Sequence, residues 1–178
     1  MSEREAIIHI LDDAFSEELC RRALDAVAQK RWYFGNSSVG AAEPAFWKMD
    51  FDGDATIDAL WSAVQGRCEA LAAASLRVLR QYANGHTYGL GGRPHLDDSR
   101  PGHYTLLYYP MPAWEPAWGG ETVFHRSDGE IALAVLPKPN RAVLFDARIP
   151  HEGRAPNRVY SGLRVTLAFK LGPAGGAP

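Results

Sequence analysis

The stretch Gly162-Leu163-Arg164-Val165-Thr166-Leu167-Ala168-Phe169-Lys170-Leu171 alternates with a period of two. Successive side chains of a strand point to opposite sides of a sheet. Leu163, Val165, Leu167, Phe169 and Leu171 therefore share one face, and Arg164, Thr166, Ala168 and Lys170 share the other. Such a strand separates an apolar layer from a polar interior, as in a barrel packed by helices outside and open to a polar ligand inside. Upstream, β-type runs at residues 104–109, 121–125, 130–135 and 141–146 are separated by Gly- and Pro-rich turns. Short strands at close spacing indicate a sandwich or barrel rather than βαβ units.

The N-terminal part reads differently. Residues 6–11 suggest an opening strand, and Ser16 is a candidate N-cap followed by Glu17 and Glu18, which suit the positive end of a helix. Apolar residues then recur at helical spacing through Ala28. A second helix is expected over about residues 55–80, with Ile57, Leu60, Trp61, Val64, Cys68, Leu71, Leu76 and Leu79 on one stripe. Residues 32–53 give no clear pattern. The expectation is a single domain over 1–171, with 1–80 as helical support, 81–171 as an all-β core and 172–178 as a disordered tail.

The 178 residues carry 46% hydrophobic and 22% charged side chains and a net charge of −2. That is an ordinary soluble domain with no basic footprint for nucleic acid or anionic membrane. No apolar run approaches the roughly 20 residues of a membrane span. Met1-Ser-Glu-Arg-Glu5 lacks the layout of a signal peptide, and Cys20 and Cys68 read as buried free thiols. A cytoplasmic location is expected.

Among six histidines, His95-Leu96-Asp97 places an imidazole and a carboxylate on the same side of an extended segment, with Asp98 facing away. A two-His-one-carboxylate triad, which leaves open positions on Fe(II), needs a third ligand. His151, 54 residues beyond Asp97, follows the run 141–146 and is the natural candidate. Arg164 comes thirteen residues after His151 on the polar face of the last strand. A buried Arg requires an anion, its planar fork suits a carboxylate, and Thr166 on the same face could add a hydroxyl.

In this order the motifs resemble those of the 2-oxoglutarate/Fe(II)-dependent dioxygenase superfamily, nearest its prolyl-4-hydroxylase-like branch. The resemblance rests on His95-Leu-Asp97, Tyr104-Thr-Leu-Leu-Tyr-Tyr109, Trp118-Gly-Gly-Glu-Thr122, Pro137-Lys-Pro-Asn-Arg-Ala-Val-Leu-Phe145, His151 and Gly162-Leu-Arg-Val-Thr166, and covers residues 78–171. It implies a double-stranded β-helix, the jelly-roll or cupin-like fold, backed by the N-terminal helices. It also implies Fe(II) on His95, Asp97 and His151, and 2-oxoglutarate on Arg164 and Thr166 with help from Tyr82 or Tyr88. O2 would be consumed and the co-substrate decarboxylated to succinate. Pro110 stands where relatives often carry Asn. Halogenating relatives replace the carboxylate by a small residue, so Asp97 favours hydroxylation or another oxidation of an unactivated C–H.

The loop 111–118 contains Trp114 and Trp118, which either wall a substrate pocket or cap the barrel end. Arg93, Arg100, Arg148 and Arg154 lie near the metal motifs and either face a polar substrate or remain solvated. A small polar metabolite is expected as substrate. The alternatives are a prolyl or other protein side-chain hydroxylase and, in a different class, a non-oxidative cupin-like sugar-binding module or isomerase. A nucleic-acid repair dioxygenase conflicts with the acidic balance.

Overall fold

The computed structural model describes residues 8–29, 31–38 and 45–175. Its core is two antiparallel sheets. The larger contains β1 (Ile8–Leu11), β2 (Tyr33–Asn36), β3 (Phe46–Asp50), β4 (Leu76–His86), β5 (Tyr104–Tyr109), β8 (Arg141–Asp146) and β10 (Arg164–Pro173) in the order β1-β8-β5-β10-β4-β3-β2. The smaller contains β6 (Thr122–His125), β7 (Ile131–Val135) and β9 (His151–Gly153) in the order β7-β6-β9.

The alternation of β10 sets the layers. Val165, Leu167, Phe169 and Leu171 join a core with α1 (Glu17–Val27) and α2 (Ala55–Ala72), through Ile57, Leu60, Trp61 and Val64. On the opposite face Ala168, Tyr82, Leu107, Tyr109, Val143 and Phe145 meet Phe124 and Val135 of the small sheet. The result is a double-stranded β-helix with both helices outside the large sheet, as the family resemblance implies. Between the sheets, Arg164, Thr166, Ala168 and Lys170 pair in register with His86, Asn84, Tyr82 and Arg80 of β4. No helix among the described residues is long and apolar enough to cross a membrane.

The local signals of the first half hold in part. Ser16 caps α1 by accepting from the Leu19 N–H, and Asp54 caps α2 by accepting from Thr56 and Ile57. The second helix, expected to reach residue 80, stops at Ala72. Ala73 adopts a left-handed conformation at φ +49° that turns the chain, and Glu69 Oε1 accepts the Leu76 N–H at 2.8 Å. Leu76 and Leu79 therefore belong to β4 and not to a helical stripe. The division at residue 80 moves accordingly: β1, β2, β3 and the start of β4 are strands within the expected helical support. The proposed disordered tail also begins too early. Gly172 and Pro173 continue β10 opposite Arg77 and Leu76, and the Ala174 N–H reaches Ser75 O at 2.9 Å. Residues 6–7 of the expected opening strand and 176–178 of the tail lie outside the described residues.

Candidate active site

His95 and His151 are clamped together by their own backbones, each N–H donating to the other's carbonyl at 3.0 Å. The Asp97 N–H donates to Ala147 O at 3.0 Å. These bonds bring His95, Asp97 and His151 into a cluster whose ligand atoms all lie within 4.8 Å of one another. His95 Nε2 is 3.4 Å from Asp97 Oδ1, and His151 Nε2 is 3.4 Å from Asp97 Oδ2. Each imidazole turns its other nitrogen back to a carbonyl: His95 Nδ1 to Arg93 O at 2.8 Å and His151 Nδ1 to Ile149 O at 2.9 Å. A carbonyl only accepts, so the proton sits on Nδ1 and both Nε2 lone pairs face the carboxylate. Three convergent lone-pair donors held by backbone are a set that can bind one divalent ion on one face. Asp98 turns outward to Arg100, and His103 and His125 lie outside the cluster.

Asp97 is buried, which pushes its pKa up, but the Lys170 cation and the two imidazoles outweigh this and hold it well below the usual carboxylate range. Lys170 Nζ touches Asp97 Oδ2, which also accepts from Thr105 Oγ1 at 2.6 Å. Both contacts fall on one oxygen, so Oδ1 is left to serve an ion. Burial lowers the pKa of His151 against the opposing pull of Asp97, keeping it neutral, as a metal ligand must be.

Arg164 is 1% exposed. Its Nε donates to Gly120 O at 2.6 Å, Nη2 to Thr122 Oγ1 at 3.0 Å, and Nη1 to His86 Nδ1 at 3.2 Å. A guanidinium has five N–H donors; the remaining two, one on each Nη, are free for a carboxylate. Thr166 and His86 stand beside it in the wall of a cavity of about 250 Å³ that also reaches His95, Asp97 and His151. His86 Nε2 is buried without a partner among the described residues. Gly120, in the Gly-Gly-Glu motif, has φ +75°, and a Cβ there would sit 3.2 Å from Arg164 Cδ and 3.1 Å from Trp114. The motif lets a backbone carbonyl meet the guanidinium at close range.

A family model described as the 2OG-Fe(II) oxygenase superfamily matches residues 80–169, half of the chain. The chain belongs to this superfamily. The oxygenase is an enzyme whose cofactors are those of its family, Fe(II), 2-oxoglutarate and O2. No curated protein matches its sequence. Among solved structures it is similar to a Pseudomonas putida prolyl-4-hydroxylase, at 19% identity and TM-score 0.69, with 93% of this chain and 92% of that one covered. It is also similar to a Trichoplax adhaerens prolyl hydroxylase in complex with a hypoxia inducible factor peptide, at 18% identity and TM-score 0.67, covering 93% and 83%. A third is the non-heme alpha ketoglutarate dependent epimerase SnoN from nogalamycin biosynthesis, at 14% identity and TM-score 0.76, covering 96% and 78%. At these identities the likeness is one of fold.

The residues of the oxygenase fit both absent groups: the lone pairs of His95 and His151 beside Asp97 Oδ1 suit Fe(II), and the free fork of Arg164 suits a carboxylate. Tyr82 lines the cavity beside Ala168, whereas Tyr88 is 63% exposed and does not. Trp114 and Trp118 are not in the cavity wall. They stack with Tyr160, at 4.7 and 4.6 Å between centroids, and Trp114 Nε1 donates to Gly119 O at 3.0 Å, so the cluster props the Gly119-Gly120 turn behind Arg164. Arg100, Arg148 and Arg154 pair with Asp98, Asp146 and Glu152 outside the cavity, and the Arg93 side chain is not in its wall. Lys48, Arg80, His86, Thr105, Thr122 and Lys170 are site residues that the sequence did not single out. Only Lys170 carried a signal, its place on the polar face of the last strand.

Proposed function

We propose that this oxygenase hydroxylates, or otherwise oxidises, an unactivated C–H of a small polar molecule. His95, Asp97 and His151 hold Fe(II), and Arg164 with Thr166 holds the distal carboxylate of 2-oxoglutarate. The observation that carries this is the buried Arg164, whose two free N–H donors belong to the same cavity as the His-Asp-His cluster. A non-oxidative sugar-binding or isomerase jelly-roll has no use for a guanidinium fork kept free opposite a metal triad.

When bound, iron and co-substrate supply O2 activation coupled to conversion of 2-oxoglutarate to succinate and CO2. The chain's part is placement. Arg93 O and Ile149 O fix the tautomers of His95 and His151; Thr105 and Lys170 orient Asp97; Gly120, Thr122 and His86 lock Arg164 in one rotamer. Phe124 and Phe145 pack against the His151 ring, at 6.0 and 4.6 Å, and keep water from that side. The net charge of −2 gives no support to a nucleic-acid substrate. The test is anaerobic titration of 2-oxoglutarate into the Fe(II)-loaded protein, followed by Fe(II)-dependent succinate release in air. Absence of co-substrate binding by the parent protein would overturn the proposal.

A further inference from the structure

Lys48, Arg80 and Lys170 converge on one aromatic ring from three adjacent strands. Lys48 Nζ lies 5.0 Å, Arg80 Cζ 4.8 Å and Lys170 Nζ 5.7 Å from the centroid of Tyr82. All four residues line the cavity that holds the triad. They stand at the end opposite Arg164: Lys170 lies six residues along β10 from Arg164, as Arg80 does from His86 along β4, which is about 20 Å of strand.

The cations are incompletely neutralised. Lys48 meets Asp50 at 2.5 Å and Lys170 meets Asp97. Arg80 has no carboxylate within ion-pair distance among the described residues and rests on the Tyr82 face. Asp97 is the one carboxylate among the described lining residues. Lys48, Arg80, Lys170, Arg164 and a divalent iron stand against Asp97, Asp50, Glu121, whose charge acts on Arg164, and the two carboxylates of 2-oxoglutarate. One positive charge remains in surplus after the co-substrate is bound. A five-carbon dicarboxylate held by Arg164 and the iron is too short to reach Arg80 as well, so the surplus is not there for the co-substrate.

We propose that the substrate is itself an anion, bearing a carboxylate, sulfate or phosphate, and that Arg80 and Lys48 bind this group beside Tyr82 and so direct the C–H to be oxidised toward the iron. The proposal rests on the oxygenase function above and names its substrate class. Complementary charge in a walled cleft selects for anions and rejects cations, and Arg supplies the fork that such groups accept. Lys170, held by both Asp97 and Thr105, contributes field rather than contact.

The test uses anaerobic protein carrying Fe(II) and 2-oxoglutarate, titrated calorimetrically with benzoate, phenyl sulfate and phenyl phosphate, and with benzyl alcohol and benzylammonium as neutral and cationic counterparts. At least one anion is expected to bind, with affinity that falls as salt is added, while the neutral and cationic probes bind at least about tenfold more weakly. Which anion binds best separates carboxylate, sulfate and phosphate. Arg80→Met, which keeps the aliphatic packing on Tyr82, is expected to weaken the anion about tenfold, and Lys48→Met with Arg80→Met to abolish it. The affinity for 2-oxoglutarate is expected to stay within about threefold in both. Equal binding of benzyl alcohol, no anion binding by the parent, or anion binding indifferent to both changes would overturn the proposal. So would an equal loss of 2-oxoglutarate affinity, which would assign these cations to the co-substrate. Failure of 2-oxoglutarate to bind the parent would instead strike at the oxygenase function itself, a result that the first titration reports separately.

Discussion

Arg164 Nη1 and His86 Nδ1 are 3.2 Å apart, and a guanidinium can only donate. His86 therefore accepts at Nδ1 and carries its proton on Nε2, the atom left without a partner. Burial first, and the Arg164 charge second, hold the His86 pKa well below its usual 6.5. Under the proposed function, the neutral ring offers a further donor in the cavity wall shared with Arg164 and Thr166.

A pH dependence follows. Because the folded-state pKa of His86 is depressed, the unfolded chain binds the extra proton first. Its contribution to stability is full above pH 6.5 and is lost as pH falls below that value toward the folded pKa. The His151 pKa is lowered as well, mainly by burial, and acts in the same direction. Urea denaturation of the metal-free protein at pH 8, 6.5 and 5 should show the decline, and His86→Gln, which does not titrate, should make it shallower. An unchanged slope would mean that His86 is not the neutral group described.

Lys170 and Asp97 form a second dependent pair. Lys170→Met removes a cation and leaves Asp97 buried against two imidazoles. Breaking a buried pair costs roughly 3–5 kcal/mol, and with the Lys170 side chain still 15% exposed the low end, about 3 kcal/mol, is expected. A divalent ion restores positive charge beside the same carboxylate. Thermal melts should therefore show Lys170→Met rescued by Mn(II) by more than the parent is stabilised. Equal stabilisation of both would detach Lys170 from the metal site.

The last strand was legible because each of its faces has one kind of neighbour: residues 163–171 alternate cleanly, and the polar face does line the cavity. The triad was legible from the chain order of His95, Asp97 and His151, although His95 sits on an isolated bridge and Asp97 in a bend rather than on a strand. The end of α2 was not legible. Ala73 takes a left-handed conformation in which glycine is the usual residue, so no Gly or Pro marked the stop, and Leu76 and Leu79 happen to continue the helical spacing. Tyr82 and Tyr88 share parity along an extended chain, but β4 ends at His86 and Tyr88 falls in the turn beyond it. Arg80, two residues before Tyr82 on β4, fell in the span read as a helix, and Lys48 lay in a stretch without a clear pattern and reaches Tyr82 only through the pairing of β3 with β4. Side chains positioned by a neighbouring strand leave no local trace.

The proposed role of Arg164 as co-substrate anchor has a direct test. Arg164→Ala should weaken 2-oxoglutarate by about two to four powers of ten, from roughly 3–5 kcal/mol for a buried charged partner, while Fe(II) binding is nearly unchanged. Arg164→Lys should recover part of the loss, since charge survives and the fork does not. Calorimetric titration of both variants with 2-oxoglutarate, after Fe(II) loading, checks the order parent, Lys, Ala. Equal affinity in Arg164→Ala and the parent would remove the anchor.

Gly120 tests whether that anchor is held from behind. Its φ of +75° is strained for any residue with a side chain, and a methyl group there would be crowded from two sides, by Trp114 at 3.1 Å and by Arg164 Cδ at 3.2 Å. Gly120→Ala should therefore cost about 1–3 kcal/mol of stability. More tellingly, the methyl group must push either the tryptophan or the arginine. Trp114 is braced by Trp118 and Tyr160 and by its own hydrogen bond to Gly119 O, whereas one side of Arg164 faces the cavity, so the guanidinium is the part that yields. Displacing it lengthens the 2.6 Å bond from Nε to Gly120 O and misaligns the two free donors. The expected result is a loss of 2-oxoglutarate affinity larger than the loss of stability predicts, with metal affinity intact. Trp114→Ala in the Gly120→Ala background should return part of that affinity by giving the methyl group somewhere to go. If the double variant binds 2-oxoglutarate no better than Gly120→Ala alone, the crowding does not act through Arg164, and the glycine serves only the turn.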